Sequence, residues 1–290
     1  MAYGILRIKP ITQGGIGHIG AEEDRRSGNQ RNGDIDPDRS HLNMGAYRLE
    51  NQTLYAAWKN RCAELGVSPT RKGQICMEQA VVTASPAFFR ELGWDKEAAK
   101  NWHVQDIPAD IIRYFEQAAK WLGGYLGEQN IISITIHLDE ETPHMHVDYI
   151  PVAVAGKRRK DVYARDADGR ILRDGKGHAI RAKDEAGHVI YEYVDAPVRL
   201  NRSDFWQERG GRQSYRQMQD AFYQAVSKAW GLERGEIATG RQHIEQERHK
   251  ARTAAKQVKA LQAARDMLTH GNLQLAERIV AQERSQEQPR

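Results

Sequence analysis

The chain is short of cysteine. Of its 290 residues only Cys62 and Cys76 are cysteines. That is too few for a disulfide framework, and the pair lacks the spacing of a thiolate metal site. A reducing cytosol suits this usage. No run of 18 apolar residues occurs, so a spanning helix of ordinary length is excluded. Met1–Pro10 alternates and carries Arg7 and Lys9; it lacks the apolar stretch and cleavage pattern of a secretory signal. The expected setting is the cytoplasm, without membrane insertion. Charge of one sign is scarce too. Against 43 basic side chains stand 39 acidic ones, a net +4, which alone identifies no partner.

The small excess is unevenly placed. Residues 240–290 hold ten Lys+Arg and six Asp+Glu, so the first 239 residues keep 33 of each sign. Inside that neutral part, Lys157–Lys183 holds ten basic and four acidic residues, a local +6. Hydrophobic residues make up 40% of the chain, enough for a folded core. A mean hydropathy of −0.74 implies solvated helix or loop elsewhere.

Patterning gives the coarse organisation. Tyr3–Lys9 alternates as a strand does, and Gly14-Gly15-Ile16-Gly17 reads as a flexible loop. Glu22–Arg39 is polar and Gly/Asn/Asp-rich, a long loop of the kind that carries function. Helical spacing covers Gln52–Leu65, where Gly66 stops it. Ile75–Ala84 reads as a strand, and Ser85-Pro86 opens a short helix. Ala109–Leu126 is amphipathic, with Ile112, Phe115, Ala119 and Leu122 in one stripe. Lys157–Arg199 contains DADGRIL, DGKGHAI and DEAGHVI, three turn-then-strand units expected to form successive hairpins. This segment is either a solubilising insertion or a basic ribbon laid along a phosphate backbone, gripping it through Lys157, Arg158, Arg159 and Lys160. Ser214–Trp230 is a further amphipathic helix closed by Gly231. His243–Val280 reads as a long helix. Its Leu261, Leu268 and Leu275 lie seven apart, a weak coiled-coil seam interrupted by Gly271; a solvated tail is the competing reading.

The chemistry concentrates in one hairpin. In Ile131–Leu138, Ile132, Ile134, Ile136 and Leu138 point to one face, and Ser133, Thr135 and His137 to the other. After Asp139–Pro143 a second strand, His144–Val152, places His144, His146 and Asp148 on one face. A loop this short makes the strands antiparallel neighbours. His137, His144 and His146 then converge, a set of imidazoles suited to a divalent ion. Without thiolates they fit Zn, Mn, Co or Ni, and Mn or Mg suits phosphoryl chemistry. Glu140 and Glu141 in the loop are placed to support the ligands or act as a base.

The stretch HLDEETPHMHVDYIP, His137–Pro151, resembles the third motif of the MobV family of plasmid relaxases, also called Mob/Pre plasmid mobilisation and recombination proteins. Its core is the His-hydrophobic-His (HUH) pair His144-Met145-His146. Gly14-Gly15 followed by His18 resembles the family's first motif. Asn32–Asn43, centred on Arg39-Ser40-His41-Leu42-Asn43, resembles the second. Gly231–Glu236 resembles an element after the last domain helix. The resemblance implies an α+β fold, the HUH endonuclease palm: a central antiparallel sheet flanked by helices. To this are added the hairpin insertion and a C-terminal helical tail. It implies a relaxase domain over residues 1–236, including the 157–199 insertion, with the tail over 237–290.

It further implies metal-dependent, strand-specific nicking and rejoining at a plasmid transfer origin in a bacterial cytoplasm. The substrate is single-stranded or supercoiled origin DNA, and the product a covalent 5′-phosphoryl–protein adduct. Carried over by motif, His18 is the nucleophile, though it is also placed to bind phosphate from a turn. Tyr3 and Tyr47 are alternative nucleophiles. Glu140 is the expected catalytic carboxylate. Arg25 is expected at a DNA phosphate, Arg39 and His41 at the DNA or supporting the site, and Asn43 at the DNA or orienting a ligand; a buried hydrogen-bonded turn is the competing reading of Arg39–Asn43. Arg25 lies seven positions after His18, a departure from the family pattern. A homodimer through the tail and conjugation coupling machinery are expected partners. Three rival readings stand beside this one. The first is an HUH replication initiator using a helix tyrosine such as Tyr215 or Tyr223. The second is a metal-dependent hydrolase of small substrates, and the third a non-catalytic DNA-binding metalloprotein.

Overall fold

The structure, a computed structural model, describes residues 2–26, 33–49, 51–235 and 262. The chain begins with β1 (Tyr3–Thr12), α1 (Gln13–Glu23), β2 (Met44–Ala46), α2 (Leu54–Glu64), β3 (Ile75–Ala84) and α3 (Pro86–Glu91). It continues through α4 (Ala109–Leu126), β4 (Ile131–His137), β5 (His144–Tyr149), β6 (Val152–Ala153), β7 (Gly156–Asp161) and β8 (Tyr191–Ala196). Last come β9 (Arg199–Leu200), α5 (Arg202–Gln207), α6 (Ser214–Ala225) and β10 (Glu233–Arg234). Met1–Gly235 form one unit and Glu236–Arg290 a second. The expected tail helix and its leucine seam lie outside the described residues.

A six-stranded sheet in the order β10-β1-β3-β5-β4-β2 is the frame. Every pairing is antiparallel except β1 with β10. This is the expected α+β palm with helices on both faces. One face buries Leu6, Ala80, Val82, Met145, Val147 and Tyr149 beneath α4 and α6. The other carries Ile11, Met77 and Ile132 beneath α1 and α2, but only along part of its length. The rest of that second face is where the histidines lie.

Three local expectations change. The glycine-rich segment is helix α1, not a loop. Ile16, Ile19, Gly20 and Glu23 are its buried residues, an i, i+3, i+4, i+7 stripe held against α2. Four glycines weaken helix propensity, and tertiary packing overrides that. On α4 the buried stripe runs through Ile111, Tyr114, Phe115, Ala118, Leu122 and Leu126; Ile112 and Ala119 flank it, half-buried. In β4, Ile131 pairs with Tyr149 but Ser133 with Asp148. The extra residue, Ile132, is a bulge that sends its side chain to the α1/α2 face rather than to the face of Ile134.

The insertion does form hairpins, but not an extended ribbon. Gly169, Gly177 and Gly187 take φ of +80°, +83° and +85°, the left-handed conformation glycine tolerates. In each turn an aspartate (Asp166, Asp174 or Asp184) accepts backbone N–H bonds from two and four residues on. The arms close on one another: Leu172 N–H donates to Ala164, Ile180 to Leu172, and Ala164 to Ile180. A backbone triangle thus sits above the β7–β8 stem.

The α1–α2 contact generates a paired test. A Cβ added at Gly20 would meet Leu54 Cβ at 2.6 Å, whereas one at Gly17 meets nothing within 4 Å. Gly20→Ala should cost about 1–3 kcal/mol through overpacking, which outweighs its helix-propensity gain. Gly17→Ala should stabilise by up to about 1 kcal/mol. Urea denaturation of both variants checks the opposite signs.

Candidate metal centre

The hairpin register builds the site. His137 lies directly opposite His144, and Thr135 opposite His146, so three rings project from adjacent positions on one face. Their centroids are 5.0–5.1 Å apart. One nitrogen from each lies within 4.8 Å of the others. Backbone carbonyls settle two tautomers, because only an N–H can face a carbonyl oxygen. His144 Nδ1 donates to Thr142 O at 3.0 Å, and His137 Nε2 donates to Glu23 O at 3.2 Å. That leaves a lone pair on His144 Nε2 and on His137 Nδ1, the latter buried with no partner. A buried unsatisfied nitrogen costs about 1–3 kcal/mol; a divalent ion relieves it. The donor set therefore fits such an ion.

Electrostatics keep the rings ready. Burial, reinforced by His144, pushes His137 down to about 3. Burial with the neighbouring histidines pushes His146 well below its ordinary value. Both are neutral at pH 7, the form that ligates metal. Beneath them lie two buried carboxyls, Glu23 and Asp148, bridged by the Gln79 amide. Glu23 Oε1 approaches His146 Nδ1 to 4.0 Å. Burial raises Glu23 well above the usual carboxylate range, and the charge of Asp148 raises it further. Burial raises Asp148 to about 7. Glu23 Oε2 and Asp148 Oδ2 have no other partner, and a proton held on Glu23 and shared with Asp148 satisfies both.

The loop between the ligand strands hangs on Asp139, which is fully buried. Its carboxylate accepts from Arg25 Nε and Nη2 (2.8 and 2.6 Å), Ser40 Oγ (2.8 Å) and Asn43 Nδ2 (2.8 Å). Burial alone would raise this carboxyl; Arg25 above all, with Asn43 and Ser40, offsets that and holds it at about 2. Arg25 also binds Glu140 Oε1 at 3.0 Å, and Glu140 lies 3.7 Å from His144 Nε2.

For several of the expected site residues this geometry shows a supporting role. Arg39 is 3% exposed, and its guanidinium donates to the carbonyls of Leu138, Asp139 and Glu140. Asn43 is occupied at both ends, by Asp139 and by Leu138 N–H. Arg25 is engaged by two carboxylates and the Glu22 carbonyl. All three brace the loop between the ligand strands. His41 is exposed, with Nε2 on Trp102 O at 2.8 Å. Glu141 points away to Lys96. His18 is not among the converging groups. It is exposed on α1, 3.4 Å from Glu22 Oε1 one turn on. In the insertion, Lys157 and Lys160 pair with Asp195 and Glu192, and Arg159 stacks on Tyr191 at 4.2 Å. Sequence reasoning missed Glu23. Its signal was there: an acid in the apolar stripe position after Ile16, Ile19 and Gly20.

A central antiparallel sheet, flanking helices and three histidines on one hairpin define the class as an HUH relaxase fold. The chain belongs to the Mob_Pre family, described as plasmid recombination enzyme, whose family model matches residues 1–169. A plasmid recombination enzyme from Bacillus sp is 25% identical over 267 residues, spanning 90% of this chain and 49% of the relative. One from Lactiplantibacillus plantarum is 29% identical over 156 residues, 52% of this chain and 38% of the relative. The chain thus spans about half or less of the length of these relatives. The fold matches the MobM relaxase domain (MOBV; Mob_Pre), solved bound to plasmid pMV158 oriT DNA with Mn. That match has a TM-score of 0.55 at 20% identity, covering 86% of this chain and 98% of that one.

Two expectations follow. Arg25→Ala strands the Asp139 carboxylate and should cost about 3–5 kcal/mol in urea denaturation. Much of that should return in the Arg25→Ala/Asp139→Asn double variant; full additivity would contradict the brace. Asp148, raised to about 7 from an unfolded value of about 3.9, keeps a proton that the unfolded chain releases. Its stabilising contribution is complete below pH ~4 and is lost as pH rises through 7. In chelator, Asp148→Asn should therefore gain stability relative to the parent across that window. A pH-independent difference would contradict the assignment.

Proposed function

We propose that this chain is a DNA relaxase. It nicks and rejoins one strand at a plasmid transfer origin through a covalent 5′-phosphoryl–protein intermediate, in the bacterial cytoplasm. The observation that carries the reading is the histidine cluster: three imidazoles, two of them (His137 and His146) with a buried orphaned nitrogen, on a partly uncovered sheet face. The family's description and the Mn and oriT DNA of the MobM domain support it. His137, His144 and His146 would hold the ion, with Mn favoured. Bound there, it would stabilise charge on the scissile phosphate.

The protein's own groups do the rest. His18 is the proposed nucleophile. Glu22 Oε1, 3.4 Å from its Nε2, orients the ring and accepts its proton, leaving Nδ1 to attack phosphorus. The N–P bond forms, the P–O3′ bond breaks, and the 3′ oxygen leaves with a proton moved by Glu140. Rejoining reverses each step. Arg158, Arg159 and Arg165 line a groove of about 940 Å³ between the insertion and α5. There the insertion grips DNA beyond the nick. Among the described residues no helix is long and apolar enough to cross a membrane. Dimerisation and coupling contacts are assigned to the segment beyond residue 235.

A replication-initiator reading needs a helix tyrosine at the metal. Tyr215 instead packs on Trp206 and bonds Arg202 and Glu78, and burial pushes it up to about 12. The test is incubation with single-stranded origin DNA and Mn²⁺, followed by mass-spectrometric mapping of the linked peptide. The expected adduct is on His18; it disappears with chelator, in His18→Ala and in His144→Ala. An adduct on Tyr3 or Tyr47 would move the nucleophile, and no adduct on any residue would overturn the reading.

A further inference from the structure

The histidine face of the sheet continues past the histidines. Register places His146 opposite Val81, and Val81 opposite Arg7. In the next row on the same face, Asp148 lies opposite Gln79, and Gln79 opposite Lys9. The alternating residues Leu6 and Ile8 pack into the core on the other face. Arg7 and Lys9 therefore project from the face that bears the metal ligands, two strands away. At about 4.8 Å per strand that is roughly 10 Å from His146. Both are exposed, and no ion pair engages either among the described residues. Lys9 is near enough for its charge to depress His146. The two cations stand i, i+2 on one strand, about 7 Å apart.

We propose that Arg7 and Lys9 form a phosphate track beside the metal centre. They bind consecutive backbone phosphates of the single strand whose scissile phosphate lies at the histidines. This rests on the relaxase reading and adds the direction in which the strand leaves the site: across β3 onto β1. The chemistry fits. A guanidinium or ammonium without a carboxylate partner gains a charge-assisted bond to a phosphate oxygen, and their two-residue spacing suits successive phosphates. The competing role is that of exposed charges guarding an edge strand, since β1 meets β10 only at Tyr3 and Gly4.

The experiment measures binding of a fluorescent single-stranded oligonucleotide in chelator, as a function of salt. The parent is compared with Arg7→Ala/Lys9→Ala and with the exchange variant Arg7→Lys/Lys9→Arg; circular dichroism serves as the fold control. Loss of two phosphate contacts should lower the slope of log affinity against log salt by about 1.4, and the exchange variant should restore it. Equal slopes for parent and double-alanine variant would overturn the track. So would aggregation of the alanine variant with an unchanged slope, the outcome edge protection predicts. Binding is read without metal, so a protein that fails to nick would still report on the track.

Discussion

The site depends on one buried carboxylate. Asp139 joins the end of α1 through Arg25 and the 37–43 segment through Ser40 and Asn43. Its own backbone carbonyl accepts from Asp36 N–H at 2.7 Å. An ionised carboxylate in a fully buried position is strongly unfavourable unless hydrogen bonds and an opposite charge accompany it. Here four donor atoms do. The ligand loop is thereby pinned against α1, and α1 in turn presents the Glu23 carbonyl to His137 and the Glu23 carboxyl to His146. Remove the central charge pair and three separate elements lose their common anchor.

The same arrangement explains how neutral imidazoles persist so close together. Three histidines with centroids about 5 Å apart repel one another if protonated. Burial and mutual proximity keep His137 and His146 deprotonated, and the N–H of His137 and of His144 is held by a backbone carbonyl. What remains is a set of lone pairs aimed inward, with the protonated Glu23–Asp148 pair beneath. The site is arranged before any ion arrives, and the cost of crowding the rings is borne by packing and hydrogen bonds around them.

The ligand hairpin was legible because it obeys the simplest rule. Period-two alternation on both strands and a short loop force His137, His144 and His146 onto one face. The α4 span was legible for a similar reason, although its stripe was displaced by one residue. Helix α1 was not: glycine content argues for a loop, and only contact with Leu54 reveals why small residues are wanted. For Arg39 and Asn43 the motif leaves DNA contact and site support both open, and for Arg25 it gives no partner, because motif position says nothing about burial. Their partners lie 95 to 114 positions away, beyond any local pattern. Arg7 and Lys9 looked like ordinary strand charges until register aligned them with His146 and Asp148.

The central claim is that three histidines on adjacent strands form a metal centre. Electron paramagnetic resonance of the Mn²⁺-loaded protein tests it directly. The expected result is one Mn²⁺ per chain, with hyperfine coupling to three imidazole nitrogens that is lost when His137, His144 and His146 are replaced. Absence of stoichiometric binding, or an ion coupled only to carboxylate oxygens, would contradict it.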